Sequence, residues 1–292
     1  MDNKKAQKYR LQLPKSNYFN IKELYNMPKY FGWVDYYTTL ENKIFMFLGG
    51  NDDGVALRCF WNNHYERKTL EIWSKVTSVD GIVLDIGAHS GIYSLVANKS
   101  IKSGAVLSFE PHFLNFSRLN LNLRANEIST KTAFMYGVGK NNETLPFSIS
   151  PNLDYLTSGG KIGRFQKQIT SDIQTIAIDK FLDSKAKNNV KVIKLDVEGY
   201  EYECLQGMLE TIINSKPLIF FECMSSKNNN EIELFLKNQN YEFFIINDLN
   251  GFIEKTNKIY PIFDENKIII HETINRIAVP KSKLKSILEI LK

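Results

Sequence analysis

The sequence has few cysteines and no long apolar run. Its three cysteines, Cys59, Cys204 and Cys223, are scattered along 292 residues without a Cys-x-x-Cys spacing. This usage predicts a reducing compartment, in which each thiol fills the core or a strand. The basic N-terminus leads into no apolar segment of a secretory signal, and no apolar run approaches the ~18 residues that a membrane span requires. We therefore expect a soluble, cytoplasmic protein.

A strong charge of either sign is also absent. The chain has 37 Lys and Arg against 32 Asp and Glu, which leaves a net charge of +5. This balance tolerates an anionic ligand but does not by itself indicate nucleic-acid binding. Hydrophobic residues make up 43% of the chain, a composition typical of a folded protein, and the length fits one or two domains.

From residue 81, runs rich in β-branched and aromatic residues alternate with helix-like segments. The predicted strands are residues 82–86, 105–109, 133–138, 190–195, 218–221, 243–246 and 267–271. The main helices predicted between them are residues 91–100, 113–126, 200–213 and 229–239. The alternation predicts an α/β fold with a mostly parallel seven-stranded sheet, closed by an antiparallel hairpin and a short terminal helix.

Residues 1–62 precede this pattern and form a predicted N-terminal extension. Two β-rich runs, residues 42–48 and 55–60, flank the turn sequence GGNDDG and predict a β-hairpin. We expect the extension to cap the second unit, residues 63–292, or to contact substrate or another subunit.

Residues 142–179 interrupt the alternation. They are polar and contain Gly159, Gly160 and Gly163. Such a stretch predicts a mobile loop over the functional site.

The segment VLDIGAHSGIYSL runs from the first of these strands through a glycine turn into a helix. A dinucleotide fingerprint, Gly-x-Gly-x-x-Gly, would bring the backbone against a pyrophosphate. Here Asp85 stands at the first glycine position, followed by Gly87 and Gly91. A carboxylate repels pyrophosphate but suits the ammonium and sulfonium of S-adenosylmethionine, whose own carboxylate the helix N-terminus can receive. The loop therefore favours S-adenosylmethionine as the ligand.

Four predicted strands end in a carboxylate, at Asp85, Glu110, Asp196 and Glu222. One such acid is often only a helix cap, but ligands of parallel sheets lie at the carboxyl ends of the strands. Glu110 follows Asp85 by 25 residues, close to the ~20-residue offset of an acid that holds a ribose diol. Val138, after the next strand, is placed either to flank an adenine ring or to fill the core.

The strand VKVIKL is followed by an acidic loop, DVEGYE. Alternation puts Lys194 and Asp196 on one face, and a lysine inside a buried strand needs a partner or a ligand. Two interpretations stay open: an inert buried ion pair, or a site where an acid of this loop accepts the proton of a substrate hydroxyl. Asp196 and Glu222 also offer oxygen ligands to a divalent cation, although their spacing does not demand one.

Taken in order, DIGAHSG, FEP and KLDVEGYE resemble the FkbM family of S-adenosylmethionine-dependent methyltransferases. The resemblance extends over residues 64–280 and includes HYE, TIAIDKFL, IFFE and NRIAVP. It implies a class I, Rossmann-like methyltransferase fold and methyl transfer, usually to oxygen and often on a sugar or glycosylated metabolite. His89 departs from the asparagine common in the family, so it either contacts cofactor or substrate or is an exposed loop residue.

The motifs and the resemblance together predict the site residues. Asp196 is the predicted proton acceptor or orienting group, with Lys194 and Glu222 in support. The resemblance assigns Tyr65 and Glu66 to a segment that closes over the cofactor. The predicted cofactor-binding residues are Tyr65, Glu66, Asp85, Gly87, Ala88, His89, Gly91, Glu110, Pro111, Val138 and Asp196.

Other functions fit the sequence less well. An NAD-dependent oxidoreductase would share the fold class but needs the Gly-x-Gly-x-x-Gly that is missing. Amino methylation of nucleic-acid bases usually shows a D/N-P-P-Y/F segment, where this chain has DVEGY. An RNA or cap ribose methyltransferase stays open, although it would predict a broad basic stripe. We expect a small-molecule or glycan acceptor and leave a homo-oligomer open.

Overall fold

The computed structural model describes residues 3–14, 18–38, 42–149, 156, 160–224 and 229–291. Its strands, in chain order, are β1 (Tyr30–Tyr37), β2 (Lys43–Gly50), β3 (Asp80–Ile86), β4 (Ser103–Phe109), β5 (Ala133–Phe134), β6 (Gly137–Val138), β7 (Glu143–Ile149), β8 (Lys161–Ile162), β9 (Ile169–Ile176), β10 (Val190–Leu195), β11 (Leu218–Glu222), β12 (Tyr241–Ile246), β13 (Ile253–Thr256) and β14 (Asn275–Pro280). Its α-helices are α1 (Asn3–Gln12), α2 (Ile21–Tyr25), α3 (Gly54–Asn62), α4 (Arg67–Val76), α5 (Ile92–Ser100), α6 (Phe113–Ala125), α7 (Ile178–Phe181), α8 (Ser184–Lys187), α9 (Glu201–Gln206), α10 (Leu209–Ser215), α11 (Asn229–Asn238) and α12 (Leu284–Leu291). None of the helices in these ranges is long and apolar enough to cross a membrane.

The largest sheet has the strand order β13-β12-β14-β11-β10-β3-β4-β5. The five strands from β5 to β11 are parallel, and β14 inserts antiparallel between β11 and β12. The predicted mostly parallel sheet is therefore confirmed. It has eight strands rather than seven, because β13 pairs with the outer edge of β12. The last predicted strand is misplaced, since residues 267–271 are not a strand and β14 follows them in the chain.

The central strands are near-continuous apolar runs, as expected of parallel strands buried on both faces. One face packs on α4 and α5 through a core that includes Trp73, Leu95 and Phe220. The other face carries a second core that includes Ile193 and Phe221. Because parallel strands end at the same edge, the loops after β3, β4, β10 and β11 converge there.

The N-terminal extension contains a hairpin, but its strands are β1 and β2. Residues 55–60, predicted as a strand, belong instead to helix α3. The reason is local: the Asp53 side chain accepts the backbone N–H groups of Val55 and Ala56 at 2.9 and 3.2 Å. This N-cap satisfies amides that a helix start would leave unpaired.

The outer edge of β2 is held by polar side chains of α6 and of Asn126, the residue that follows α6. Asn126 accepts the N–H of Phe45 and donates to its carbonyl, at 2.8 and 2.7 Å. Asn122 accepts the N–H of Phe47 at 2.8 Å, and Arg118 donates to the carbonyl of Phe47 at 2.8 Å. These amide contacts mimic a strand partner, so the extension is fixed against the sheet-bearing part of the chain.

Residues 142–179 are not the loop that their composition predicts. Within the described residues, β7 and β9 pair over seven positions, from Glu143↔Thr175 to Ile149↔Ile169. With β6 and β8 they form a four-stranded sheet. Gly159 lies outside the described residues, and Gly160 packs close to the Phe147 ring.

Candidate active site

The glycine loop after β3 depends on close backbone contacts. Gly87 has a φ of +82°, and a Cβ at this position would lie 1.8 Å from the carbonyl oxygen of Asp196. Gly91 has a φ of +99°, and its Cβ would lie 2.5 Å from Leu119 Cδ1. Both positions require glycine for conformation and for space. The loop after β3 therefore lies directly against the loop after β10.

Asp85 lies beside Lys194 in the register of β3 and β10. Its carboxylate is buried and accepts the hydroxyl of Ser94 at 2.5 Å. Burial raises the pKa of Asp85 to about 6, against the opposing effects of the Ser94 hydrogen bond and the Lys194 charge. The side chain that replaces a glycine in the fingerprint is thus a buried acid beside a buried cation.

Glu110 ties the glycine loop to the end of β4. Its two carboxylate oxygens accept the backbone N–H groups of His89 and His112, both at 2.9 Å. Burial raises the pKa of Glu110, although these amides and the His89 ring oppose the rise. Oε1 also accepts from Asn115 Nδ2 at 3.5 Å, whereas Oε2 keeps a further lone pair with which the carboxylate can accept a hydrogen bond from a ligand.

His89 adopts a left-handed backbone with φ of +51°. Its Nδ1 lies 3.2 Å from Ser90 Oγ. Its Nε2 is buried and has no hydrogen-bond partner among the described residues. An unpaired buried nitrogen is costly, and it marks a position beside Glu110 where a ligand atom would be stabilised.

Lys194 is fully buried at the centre of the converging strand ends. Its Nζ lies 3.3 Å from Asp196 Oδ2 and 3.9 Å from Glu222 Oε1. The ammonium also lies 4.8 Å from the centre of the Tyr93 ring, within range of a cation–π interaction. Burial alone lowers the pKa of Lys194, but the surrounding carboxylates outweigh burial and raise it. The carboxylates therefore favour the charged form of this lysine.

Glu66 and Tyr93 extend this cluster towards α4. Glu66 has a left-handed φ of +37°, and its carboxylate accepts the hydroxyl of Tyr93. Tyr65 is half-buried, and burial with the charges of Glu66 and Glu222 raises its pKa well above the ordinary value. The Tyr65–Glu66 pair predicted to close over the cofactor thus lies near the acids at the strand ends.

Two acids near Lys194 hold protons more tightly than usual. Burial and the charge of Asp196 raise the pKa of Glu222 well above its ordinary value, and Lys194 opposes this rise. Burial and Asp196 also raise the pKa of Glu198, from 4.5 to about 7. Glu198 has a left-handed φ of +54° and follows Asp196 by two residues. Such backbone strain is common at functional sites.

The remaining predicted residues surround the same loops. Ala88 is buried, and its N–H donates to the carbonyl of Phe109 at 2.9 Å. Pro111 is half-buried directly after Glu110. Val138 lies in the second core, and its carbonyl accepts from Cys204 Sγ at 3.0 Å. Val138 therefore has a packing role in this structure, and its contact with an adenine ring stays a prediction.

No group of three or more His, Cys, Asp or Glu side chains within the described ranges is arranged to hold a metal ion. The cation that lies between Asp196 and Glu222 is the ammonium of Lys194.

The sequence patterns overlook two members of the cluster. Asp248 comes two residues after the end of β12, so a search for acids near the carboxyl ends of strands would have found it. It accepts the N–H and the hydroxyl of Thr69 at 2.8 and 2.7 Å, and burial with the charge of Glu66 raises its pKa to about 6. Tyr93 gives no local signal, because an aromatic residue in the first turn of a buried helix is usually core.

A mostly parallel sheet with one inserted antiparallel strand, a glycine loop after β3 and acids at the strand ends defines a class I methyltransferase fold. The sequence profile described as the Methyltransferase FkbM domain matches residues 85–243, more than half of the chain. The chain therefore belongs to the FkbM methyltransferase family.

Individual relatives are distant. The chain is 24% identical over 147 residues to the hexuronic acid methyltransferase AglP of Haloferax volcanii, a match that covers 50% of this chain and 58% of that protein. It is 27% identical over 156 residues to methyltransferase sdnD of Sordaria araneosa, covering 44% and 60% of the two chains. The matches thus span less than two thirds of these relatives. A crystal structure of methyltransferase FkbM from Methylobacillus flagellatus KT aligns with a TM-score of 0.42 and 16% identity, over 77% of this chain and 53% of that one.

Proposed function

We propose that the protein transfers the methyl group of S-adenosylmethionine to a hydroxyl oxygen of a sugar, a glycan or a glycosylated metabolite. The observation that carries the proposal is the concentration of buried and half-buried acids near the glycine loop, several of them sharing the charge of Lys194. S-adenosylmethionine carries an ammonium and a sulfonium and no phosphate, so a cluster with excess negative charge favours it over a dinucleotide.

The residues of the loop fit this cofactor. Two positions where a Cβ would clash, Gly87 and Gly91, let the backbone approach closely. Glu110 Oε2 accepts one backbone N–H and keeps a lone pair for a ribose hydroxyl, and the unpaired His89 Nε2 lies in the same loop. We assign the methionine end to Asp85, Gly87 and Gly91, and the ribose to Glu110.

Bound in this position, the cofactor supplies a methyl group on a positively charged sulfur. Transfer of that methyl group in line to an acceptor hydroxyl would form an O–C bond and break the C–S bond, whose electron pair would stay on sulfur. The side chains have to align the acceptor, exclude water and take up the hydroxyl proton. We assign the proton to Asp196, which is partly exposed, while Lys194 and Glu222 hold that carboxylate in place.

A sugar-type acceptor is supported by the distant relation to a protein named hexuronic acid methyltransferase. At 24% identity this relation favours a substrate class but names no molecule. The acceptor of this chain is therefore a matter for direct measurement.

The test uses S-adenosylmethionine with an isotope-labelled methyl group and a panel of free sugars, nucleotide sugars, oligosaccharides and glycosylated metabolites, with capped RNA as a further arm. We expect label to appear on a hydroxyl oxygen in a sugar-containing arm. Asp196→Asn should still bind the cofactor but turn over at least about a hundredfold more slowly. Label on RNA alone, or undiminished turnover in Asp196→Asn, would contradict the proposal.

A further inference from the structure

The N-terminal extension presents a basic helix beside an exposed aromatic strand. We propose that α1 and the outward face of β1 dock the protein on an anionic lipid surface. This function is separate from the proposed methyl transfer, because none of these residues lies among the acids at the strand ends.

Positive charge is concentrated at this end of the chain. Residues 3–33 contain seven Lys and Arg and one Glu, so this segment has a larger positive charge than the +5 of the whole chain. Helix α1 contains four of the basic residues and no acid. Lys4, Lys5 and Lys8 are exposed on it. Juxtaposed basic residues of this kind are attracted to acidic lipid headgroups.

Large apolar side chains are exposed in the same region. Leu11 on α1 is 87% exposed. On β1, alternation buries Val34 and leaves Phe31, Trp33 and Tyr37 51%, 42% and 60% exposed. Three aromatic residues on the outer face of one short strand are unusual for a surface in contact only with water.

The helix and the strand are fixed side by side. The Asn3 side chain donates to the carbonyl of Phe31 at 2.6 Å and accepts its N–H at 2.9 Å. At the other end of α1, the guanidinium of Arg10 lies 4.6 Å from the centre of the Phe60 ring. The exposed lysines and the exposed aromatic side chains therefore lie on two elements that are fixed next to each other.

The acid on the outward face of β1 does not oppose this charge. Asp35 pairs with Lys43 on the neighbouring strand at 3.3 Å, and Lys43 also lies 5.7 Å from the centre of the Tyr37 ring. The outward face of the hairpin is thus aromatic and close to neutral, while the excess positive charge is on α1.

This combination fits a bilayer better than it fits a nucleic acid. Tyrosine and tryptophan are enriched where membrane meets water, and aliphatic and phenyl side chains can enter the acyl boundary. An exposed leucine contributes little to RNA binding, which relies on Arg and on rings that stack with bases. The proposed partner is a lipid with a negatively charged headgroup. The protein would bind at the membrane surface, without a helix that crosses the bilayer.

The test is co-sedimentation of the full chain with vesicles of equal parts phosphatidylcholine and phosphatidylglycerol, and with phosphatidylcholine vesicles alone. We expect binding only to the anionic vesicles, weakened by added salt. The combined change Lys4→Glu, Lys5→Glu and Lys8→Glu should weaken this binding at least about a hundredfold. The change Phe31→Ser with Trp33→Ser should weaken it about tenfold or more and leave the salt dependence in place.

A matched control removes the same charge elsewhere. Lys131→Glu, Lys281→Glu and Lys285→Glu alter three exposed lysines outside the extension, and this variant should bind as the wild type does. Binding of S-adenosylhomocysteine by all variants, with unchanged thermal unfolding, shows that the fold is intact. The proposal would be overturned if the wild type failed to bind anionic vesicles or if the α1 variant bound them equally well. It would also be overturned if polyuridylic acid displaced the protein from the vesicles at a lower concentration than free anionic vesicles do.

Discussion

The ammonium of Lys194 lies 3.3 Å from Asp196 Oδ2 while having no exposed surface. Taking the ammonium out of water is costly, and its attraction to Asp196 and the nearby Glu222 offsets that cost. The Lys194–Asp196 pair therefore favours the charged forms of both side chains where β10 lies between β3 and β11.

Replacing Lys194 should destabilise the protein strongly. Lys194→Met keeps a similar volume but leaves buried carboxylates without their cation, so the free energy of unfolding should fall by about 3–5 kcal/mol near neutral pH. The loss should shrink in acid, because the carboxyls then take up protons. Urea denaturation measures both effects. The control is Lys237→Met, which breaks the surface pair with Glu233 and should cost less than about 1 kcal/mol.

Gly87 and Gly199 form a matched pair of left-handed glycines. Gly87→Ala would place a Cβ 1.8 Å from a backbone oxygen, whereas no atom of the described residues lies within 4 Å of a Cβ at Gly199. Gly199→Ala should cost only the backbone strain, about 1–2 kcal/mol. Gly87→Ala should cost clearly more and abolish cofactor binding. Equal stability of the two variants would show that the loops after β3 and β10 are not in contact.

Glu198 should make stability depend on pH. Its pKa is raised from 4.5 to about 7 by burial and Asp196, with Glu201 adding to the rise and Lys161 and Lys194 opposing it. Between these values the folded chain holds the proton more tightly than the unfolded chain, so the free energy of unfolding falls as pH rises.

The Glu198→Gln side chain cannot titrate. Between about pH 5 and about pH 8, the free energy of unfolding of this variant should therefore fall less than that of the wild type, by up to roughly 3 kcal/mol. Chemical denaturation at both pH values measures the difference. Parallel pH profiles for the two proteins would mean that the folded chain does not raise the pKa of Glu198.

Removing divalent cations should not change turnover. Asp196 and Glu222 already share the charge of Lys194, so we expect the acids to act without a metal. Dialysis against EDTA, followed by the methyl-transfer assay, tests this expectation. A loss of activity that Mg²⁺ or Mn²⁺ restores would contradict it.

The central sheet and the acids at its edge can be predicted from the sequence, because each is marked by a pattern that recurs from strand to strand. Apolar β10 and β11 must be buried on both faces. Asp85 is the last residue but one of β3, and Glu110 and Asp196 come directly after β4 and β10. The closeness of Glu66 to Tyr93 does not follow, since it depends on how α4 packs against α5. No local pattern encodes that packing.

The extension is harder to predict for two physical reasons. Strand β1 has aromatic residues on both faces, Tyr36 inward and Trp33 and Tyr37 outward, so its period of two is hidden. Residues 55–60 have strand-like composition, but the N-cap of Asp53 makes them helical. A division of the chain at residue 62 stays a prediction, although one hydrophobic cluster includes residues from both sides of it.

The central claim is that this acid-rich loop binds S-adenosylmethionine, and calorimetry with S-adenosylmethionine, S-adenosylhomocysteine and NAD tests it most directly. The wild type should bind the first two and not NAD. Glu110→Gln should weaken both by a similar factor of about 10–100, because both contain the ribose. Asp196→Asn should weaken S-adenosylmethionine more than S-adenosylhomocysteine, because only the former carries the sulfonium charge. Tight binding of NAD, or unchanged affinities in Glu110→Gln, would contradict the account.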